Sequence, residues 1–571
     1  ELHDQNSSQP WQSTLRTGLT STQGDVNVVA HGDLTGQGVD IAGRDVTLVG
    51  RNVTLTPSAD TAEQRQRDKM SQVGVTVALS GVAVQAAQAV DAAVDAHDRG
   101  DNRLAVLYAA EAYYGAKDAA NVAGGIDYGR AAQSATGNAA TAAPPGGHPE
   151  DPNGSTGLVK VTVSIGSSHQ SSNTSYQQQT QQGSTVTASR DVTIVATGDG
   201  TTGADGYAAN GDVALQGAQV QAGRDVTLAA ARDITLTAGQ DTTDRDSANH
   251  SSSASIGVGF ALGGEQNGFT IELAAAAARG KGNGDSATNH VTTVNAGDML
   301  SLTSGRDATL EGAQAYGNTI LADIGRSLSL TSTQDTDHYK ETYQAASAGL
   351  SLCIPPICYG SSSGGASYSQ SNISNNYQSV TDQTGLAAGD GGFDIRVSGN
   401  TDLTGAAIAS SADPSKNLLD TGSLTYSDIE NKAHYDASSV SVSAGYGTGS
   451  GGSFSMGGSV PQSDSKRSTT KVGVAQGTII VRDNPDQDLS DLDRSVTNLD
   501  GNGVSNGFDL DKIKEKQELG QVAGRVAFRA VKSVVESRRD NAQQSLMAAN
   551  ENYQAATTDA DRAIYKQQAE L

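Results

Sequence analysis

Short runs in which Val, Leu or Ile alternates with Thr recur along the chain, most of them introduced by Gly, Arg or Asp. Gly43-Arg44-Asp45-Val46-Thr47-Leu48 and Gly50-Arg51-Asn52-Val53-Thr54-Leu55 come early. Gly223-Arg224-Asp225-Val226-Thr227-Leu228, Arg232-Asp233-Ile234-Thr235-Leu236 and Gly305-Arg306-Asp307-Ala308-Thr309-Leu310 follow. A period of two is that of a strand, and a helix would put Val226 and Leu228 on different faces. Asp191, Asp212 and Asp233 stand 21 residues apart, and Asp25 and Asp45 stand 20 apart. A period near 20 predicts a solenoid, since two or three short strands with their turns make one coil. The expected fold is mainly β: a right-handed parallel β-helix with inserted and C-terminal helical segments. Asp45, Asp191, Asp212, Asp225, Asp233 and Asp307 are expected to be structural turn residues that accept backbone N–H bonds. The Gly before each Arg-Asp is expected to supply a left-handed or tight turn.

The pattern is interrupted. Residues 1–57 read as coils. Residues 58–140 read as a helical insertion: 58–70 as a linker or helix start, Val73, Val75, Val77 and Leu79 as a short strand. Ala83, Ala87, Val90 and Val94, then Val106, Leu107, Ala110 and Tyr113, read as apolar stripes of a helical hairpin. Residues 141–157 are a Pro/Gly linker. Residues 158–482 read as repeat β-helix with Gly/Ser-rich excursions, such as the alternating Ala254, Ile256, Val258 and Phe260. Residues 483–509 form an acidic linker and 510–571 a helical segment with Leu519, Val522, Val526, Ala530 and Val534 on one face.

Composition narrows the chemistry. Of 571 residues 67 are Gly, 36% are hydrophobic and 18% charged, which suits a thin, elongated core. Lys and Arg total 38 against 63 Asp and Glu, a net charge of −25. That opposes nucleic-acid binding and attraction to an anionic bilayer by net charge. No nucleophile elbow, Walker sequence or His-Glu-x-x-His is present, so neither catalysis nor a cofactor is expected. Cys353 and Cys358 flank Ile-Pro-Pro-Ile and are a candidate disulfide in an oxidising place. Asn498, Asp500, Asn502 and Asp509 are spaced like a degraded EF-hand loop, against the alternative of a turn before a helix.

Several phrases carry a resemblance. Ala42-Gly43-Arg44-Asp45-Val46-Thr47-Leu48 and Gly399-Asn400-Thr401-Asp402-Leu403-Thr404-Gly405-Ala406 resemble the haemagglutinin repeats of filamentous-haemagglutinin-like exoproteins. Leu424-Thr425-Tyr426-Ser427-Asp428-Ile429-Glu430-Asn431 and Leu489-Ser490-Asp491-Leu492-Asp493-Arg494 are similar to the second repeat region of two-partner-secretion toxins of contact-dependent growth inhibition. That resemblance implies a non-catalytic stalk or translocation region on the surface of a Gram-negative cell, helping carry a C-terminal toxin into a neighbouring bacterium. It implies as partners an outer-membrane β-barrel transporter, the target cell's outer membrane, and the toxin with its immunity protein. It places the stalk at the producer's surface or in the target's outer membrane or periplasm. It also implies that the chain is an internal portion of a larger protein. The alternatives are an adhesin segment binding cells or glycans, and a polysaccharide-acting β-helix enzyme needing a carboxylate pair on neighbouring coils.

Overall fold

The computed structural model describes residues 2–123, 157–264, 266–448, 451–555 and 559–570. The expected linker at 141–157 falls outside them except for Gly157, which opens a strand.

Twenty-two short strands stack in parallel into a β-helix. Val213 lies in register with Ile234, and Leu215 with Leu236, one coil on. Leu48, Ile194, Leu228 and Leu302 form one inward row, each at most 1% exposed. The Thr between them faces outward, so one phrase serves every coil and the apolar face of each is buried by the next.

Two expectations about the repeat change. The step from Asp191 to Asp212 is not a coil: both lie in one coil, stretched by the loop between Ala196 and Val213. Asp225 is the residue one coil on from Asp191, and Asp233 the one on from Asp212. The glycines at Gly223 and Gly305 do not supply a left-handed turn, since neither has a positive φ. A Cβ there would run into the carbonyl oxygen of Ser189 or Ala231 in the preceding coil. Glycine is required by the closeness of the coils, not by the backbone angle.

After every second coil the chain leaves the stack. The tracts read as helix start, coil or excursion are long antiparallel strands instead. They are β1 (Leu2–Ser8), β2 (Ser58–Ser80), β3 (Gly157–Gln182), β4 (Gly239–Gly264), β5 (Gln266–His290), β6 (Asp335–Gly360), β7 (Ser363–Ser379), β8 (Ile429–Gly447), β9 (Gly451–Gly458) and β10 (Gln462–Thr470). With the two-residue strand Trp11–Gln12 they make an eleven-stranded sheet in which β1 to β9 lie in chain order. Residues 58–70 are therefore strand, not linker or helix, and parallel coils resume at Thr185 rather than 158.

Helices α1 (Val82–Asp98) and α2 (Asn102–Ala123) form the expected hairpin; α3 (Leu510–Ala555) and α4 (Asp559–Glu570) follow the last coil. The buried faces of α1 and α2 are not the expected stripes. Val90, Val94, Val106 and Tyr113 are exposed, whereas Ala89, Ala96, Leu104 and Ala112 are buried. The face was chosen by the partner: Ala96 and Leu104 pack on Val522 of α3, and Arg525 pairs with Glu111 at 3.1 Å. Residues 483–509 do not hang free either. Leu492 joins the coil core, and Arg494 donates to the carbonyls of Val474, Ala475 and Gly477 at 2.9–3.2 Å, capping the last coil.

Candidate functional site

The repeat aspartates form inter-coil ladders. Asp45 accepts from Arg190, Asp191 from Arg224, Asp212 from Arg232, Asp233 from Arg306 and Asp307 from Arg326, with Nε–Oδ1 distances of 2.7–2.9 Å. Each of these carboxylates also accepts the backbone N–H of the residue after that Arg, at 3.1–3.3 Å. Asp225 accepts only the backbone bond of this pattern, from Met299 at 3.2 Å, because Asp298 stands where the next Arg would be. The arginines were the overlooked half. Their recurrence directly before Asp was the available signal, since each coil's Arg reaches back to the previous coil's Asp.

Arg190 beside Asp45 and Arg224 beside Asp191 hold these carboxyls below the usual range. Arg51 and Asn52 bring Asp33 down to about 2. A carboxylate with a depressed folded pKa stabilises the fold above its unfolded pKa, here 3.8, and loses that contribution as pH falls through the folded value. Coil stability should therefore hold from neutral pH to about 4 and then decline towards about 2. Thermal unfolding followed by circular dichroism checks this; a melting temperature flat across that window would count against the ladder.

Cys353 and Cys358 are disulfide-bonded and face Thr270 and Gly268 of β5, so Ile354 to Ile357 bulge from β6. The calcium candidates are engaged locally. Asp500 accepts from the Asn502 N–H at 3.2 Å. Asp509 accepts from the Lys512 N–H at 3.1 Å and pairs with its Nζ at 2.9 Å. Asn498 is not brought to them by any bond, and among the described residues no cluster of three His, Cys, Asp or Glu could hold a metal.

The feature most in need of a function is the antiparallel sheet. One face carries Ile373 and Ala437, which pack on Ile513 of α3, and Glu341, which pairs with Lys514 at 2.9 Å. Towards the outer end the same face buries Lys160 and Glu272, 2.5 Å apart. Lys160 reaches Glu272 from β3 to β5 across Gly259 of the strand between, where any Cβ would block it.

The opposite face is open and apolar over its outer half. Register aligns Leu79, Val161, Phe260 and Phe269 across β2 to β5. The next rows are Val77, Val163, Val258, Ile271 and Leu352, then Val75, Ile165, Ile256, Leu273 and Leu350. Val73, Ser167, Ala254, Ala275 and Ala348 follow. Val77 is 71% exposed, Ile165 62% and Ile256 58%. From Phe269 to Ala277 on β5 the face bears no Asp, Glu, Lys or Arg from β2 to β6. Nine residues of strand span about 27 Å, close to the apolar band of membrane-crossing strands. So large a patch marks a contact surface rather than chance exposure. Among the described residues no helix is long and apolar enough to cross a membrane.

Residues 3–105 and 165–348 match the hemagglutinin repeat family. The chain is 33% identical over 545 residues to the toxin CdiA of Escherichia coli, covering 92% of this chain and 16% of that protein. It is 36% identical over 528 residues to the deoxyribonuclease CdiA of Yersinia pseudotuberculosis, covering 90% and 46%. It is 33% identical over 558 residues to the tRNA nuclease CdiA of Yersinia mollaretii, covering 96% and 18%. The chain thus spans less than half the length of each of these three relatives. No solved structure matches it. Repeating coils, their ladders and these matches agree, and the chain belongs to the hemagglutinin-repeat family, within the repeat region of CdiA-like toxins.

Proposed function

We propose that this chain is a non-catalytic part of the stalk of a secreted contact-dependent growth inhibition toxin, and that its antiparallel sheet helps a C-terminal toxin cross the outer membrane of a neighbouring bacterium. The observation that carries this reading is the charge-free apolar band on one face of β2 to β6, from Phe269 to Ala277 on β5. A sheet with an apolar face and an opposite face of Ser, Gly, Thr and Ala around the buried Lys160–Glu272 pair, as along β3 to β5, alternates as membrane strands do. Its interior strands already satisfy one another's backbone groups, which the hydrocarbon layer demands. The named nuclease activities belong to relatives that extend far beyond the aligned region, so the cargo and its immunity protein, like the transporter, are partners of the longer protein. The ladder aspartates are tied to Arg and backbone in the coils, which leaves them to architecture rather than hydrolysis.

The test is a cell-mixing assay with the full-length parent carrying Val163→Asp and Ile256→Asp. Both side chains are exposed, so folding should survive. Toxin delivery should fall by an order of magnitude or more, with surface display and target-cell attachment unchanged. Normal delivery would reject the reading and favour an adhesin segment.

A further inference from the structure

Directly inward of the apolar band, towards the coils, the same sheet face turns basic. The row after Ala277 holds Lys69, Ser171, His250, Arg279 and Gln344 across β2 to β6. The next holds Arg67, Asn173, Ala248, Lys281 and Thr342. Arg67, Arg279 and Lys281 are exposed and Lys69 half-buried. Among the described residues none of the four is in an ion pair; Arg279 donates only to the neutral Gln344, at 2.7 and 3.0 Å. The acidic residue at these two rows is Asp4, register partner of Lys69 on the edge strand β1. One row further in the signs mix, with Arg65 and Lys340 alongside Asp246. The concentration of positive charge is therefore confined to the border of the apolar band, in a chain whose net charge is −25.

We propose that Lys69, Arg67, Arg279 and Lys281 form a collar that binds the phosphate of anionic lipid headgroups when the apolar band enters the hydrocarbon layer. This rests on the membrane reading of the band and adds the headgroup chemistry and the depth of entry to it. The band and collar are adjacent in the order that a bilayer requires: hydrocarbon, then phosphate. Guanidinium and ammonium groups pair with phosphate by charge-assisted bonds. The negative net charge does not forbid this. Beyond about 8 Å at physiological salt it is screened, whereas the collar acts at contact. The collar also sets a stop, because mixed charges one row inward favour water over lipid.

The measurement is flotation of the 571-residue chain with vesicles of phosphatidylcholine alone or mixed with phosphatidylglycerol, at low and physiological salt. Binding to both is expected, tighter to the anionic vesicles, with the difference shrinking as salt rises. A basic side chain near an anionic surface contributes about fivefold in affinity. The variant Lys69→Gln/Arg67→Gln/Arg279→Gln/Lys281→Gln should thus lose at least about tenfold of the anionic preference while still binding phosphatidylcholine. A charge-keeping variant, Lys69→Arg/Arg67→Lys/Arg279→Lys/Lys281→Arg, should retain it. Inorganic phosphate at millimolar concentration should not displace the chain; if it does, the collar is a free-phosphate site and the proposal is wrong. Equal binding to both vesicles, or full preference in the Gln variant, also overturns the collar and leaves the apolar band standing. Failure to float with either vesicle overturns the membrane reading itself.

Discussion

Lys160→Met should loosen the outer end of the sheet by about 3–5 kcal/mol, since it leaves the Glu272 carboxylate buried without its cation. The two side chains are 2% and 3% exposed. Ser351 donates to Glu272 at 2.9 Å, and the Lys160 ammonium donates to Ser351 at 3.0 Å. These hydroxyl contacts cannot replace a full charge. Hydrogen exchange is the suitable readout because the loss is local: amides near Lys160 in β3 and Glu272 in β5 should lose roughly two to four orders of magnitude of protection. The double variant Lys160→Met/Glu272→Gln should recover much of it, because the buried carboxylate charge is then gone. If the single variant exchanges like the parent, the pair is not what holds β3 to β5 at this point.

Leu228→Ala should cost about 2–5 kcal/mol, the range for a large side chain deleted from a packed core. Leu228 is fully buried between Ile194 and Leu302 in the inward row. Its effect should be graded along the stack, because each coil touches only its neighbours. Exchange protection should fall at Val192–Ala196 and Met299–Ser304, and stay unchanged at Leu418–Ser427. Uniform loss along all coils would mean that the stack unfolds as one unit.

The coils were legible because their cause is local: alternation, a turn signal and a fixed period are all written within one phrase. The long strands were not. Ala254, Ile256, Val258 and Phe260 announce a strand, but β4 continues to Gly239 mostly through Ser, Asn and Asp, which have little strand preference of their own. Such tracts become strands because β3 and β5 lie on either side to pair with them. Arg65 to Lys69 read as linker for the same reason. The apolar face and the basic rows were equally hidden, since Val77, Val163, Val258 and Ile271 are neighbours only through register. The helical stripes failed differently. Val90 and Val94 are more apolar than Ala89 and Ala96, yet close packing against α2 and α3 selects the smaller residues. The repeat aspartates stand out in the sequence, but for all of them except Asp225 the paired guanidinium comes from the next coil.

One hairpin to every two coils is a matching condition between two lattices. A parallel stack advances by about 4.8 Å per coil, so two coils climb about 9.6 Å. Two sheet strands lie side by side at the same spacing and widen a sheet by about 9.6 Å. The helix and the sheet therefore grow at equal pitch and can run flush for any number of units. A hairpin after every coil would crowd the sheet to twice the pitch of its support, and one after every third would leave gaps between hairpins. Growth or shortening of this region is thus quantised. A whole unit of two coils and one hairpin can be gained or lost without disturbing the rest, whereas a single coil would displace every later hairpin by one strand and break the alignment of the apolar rows.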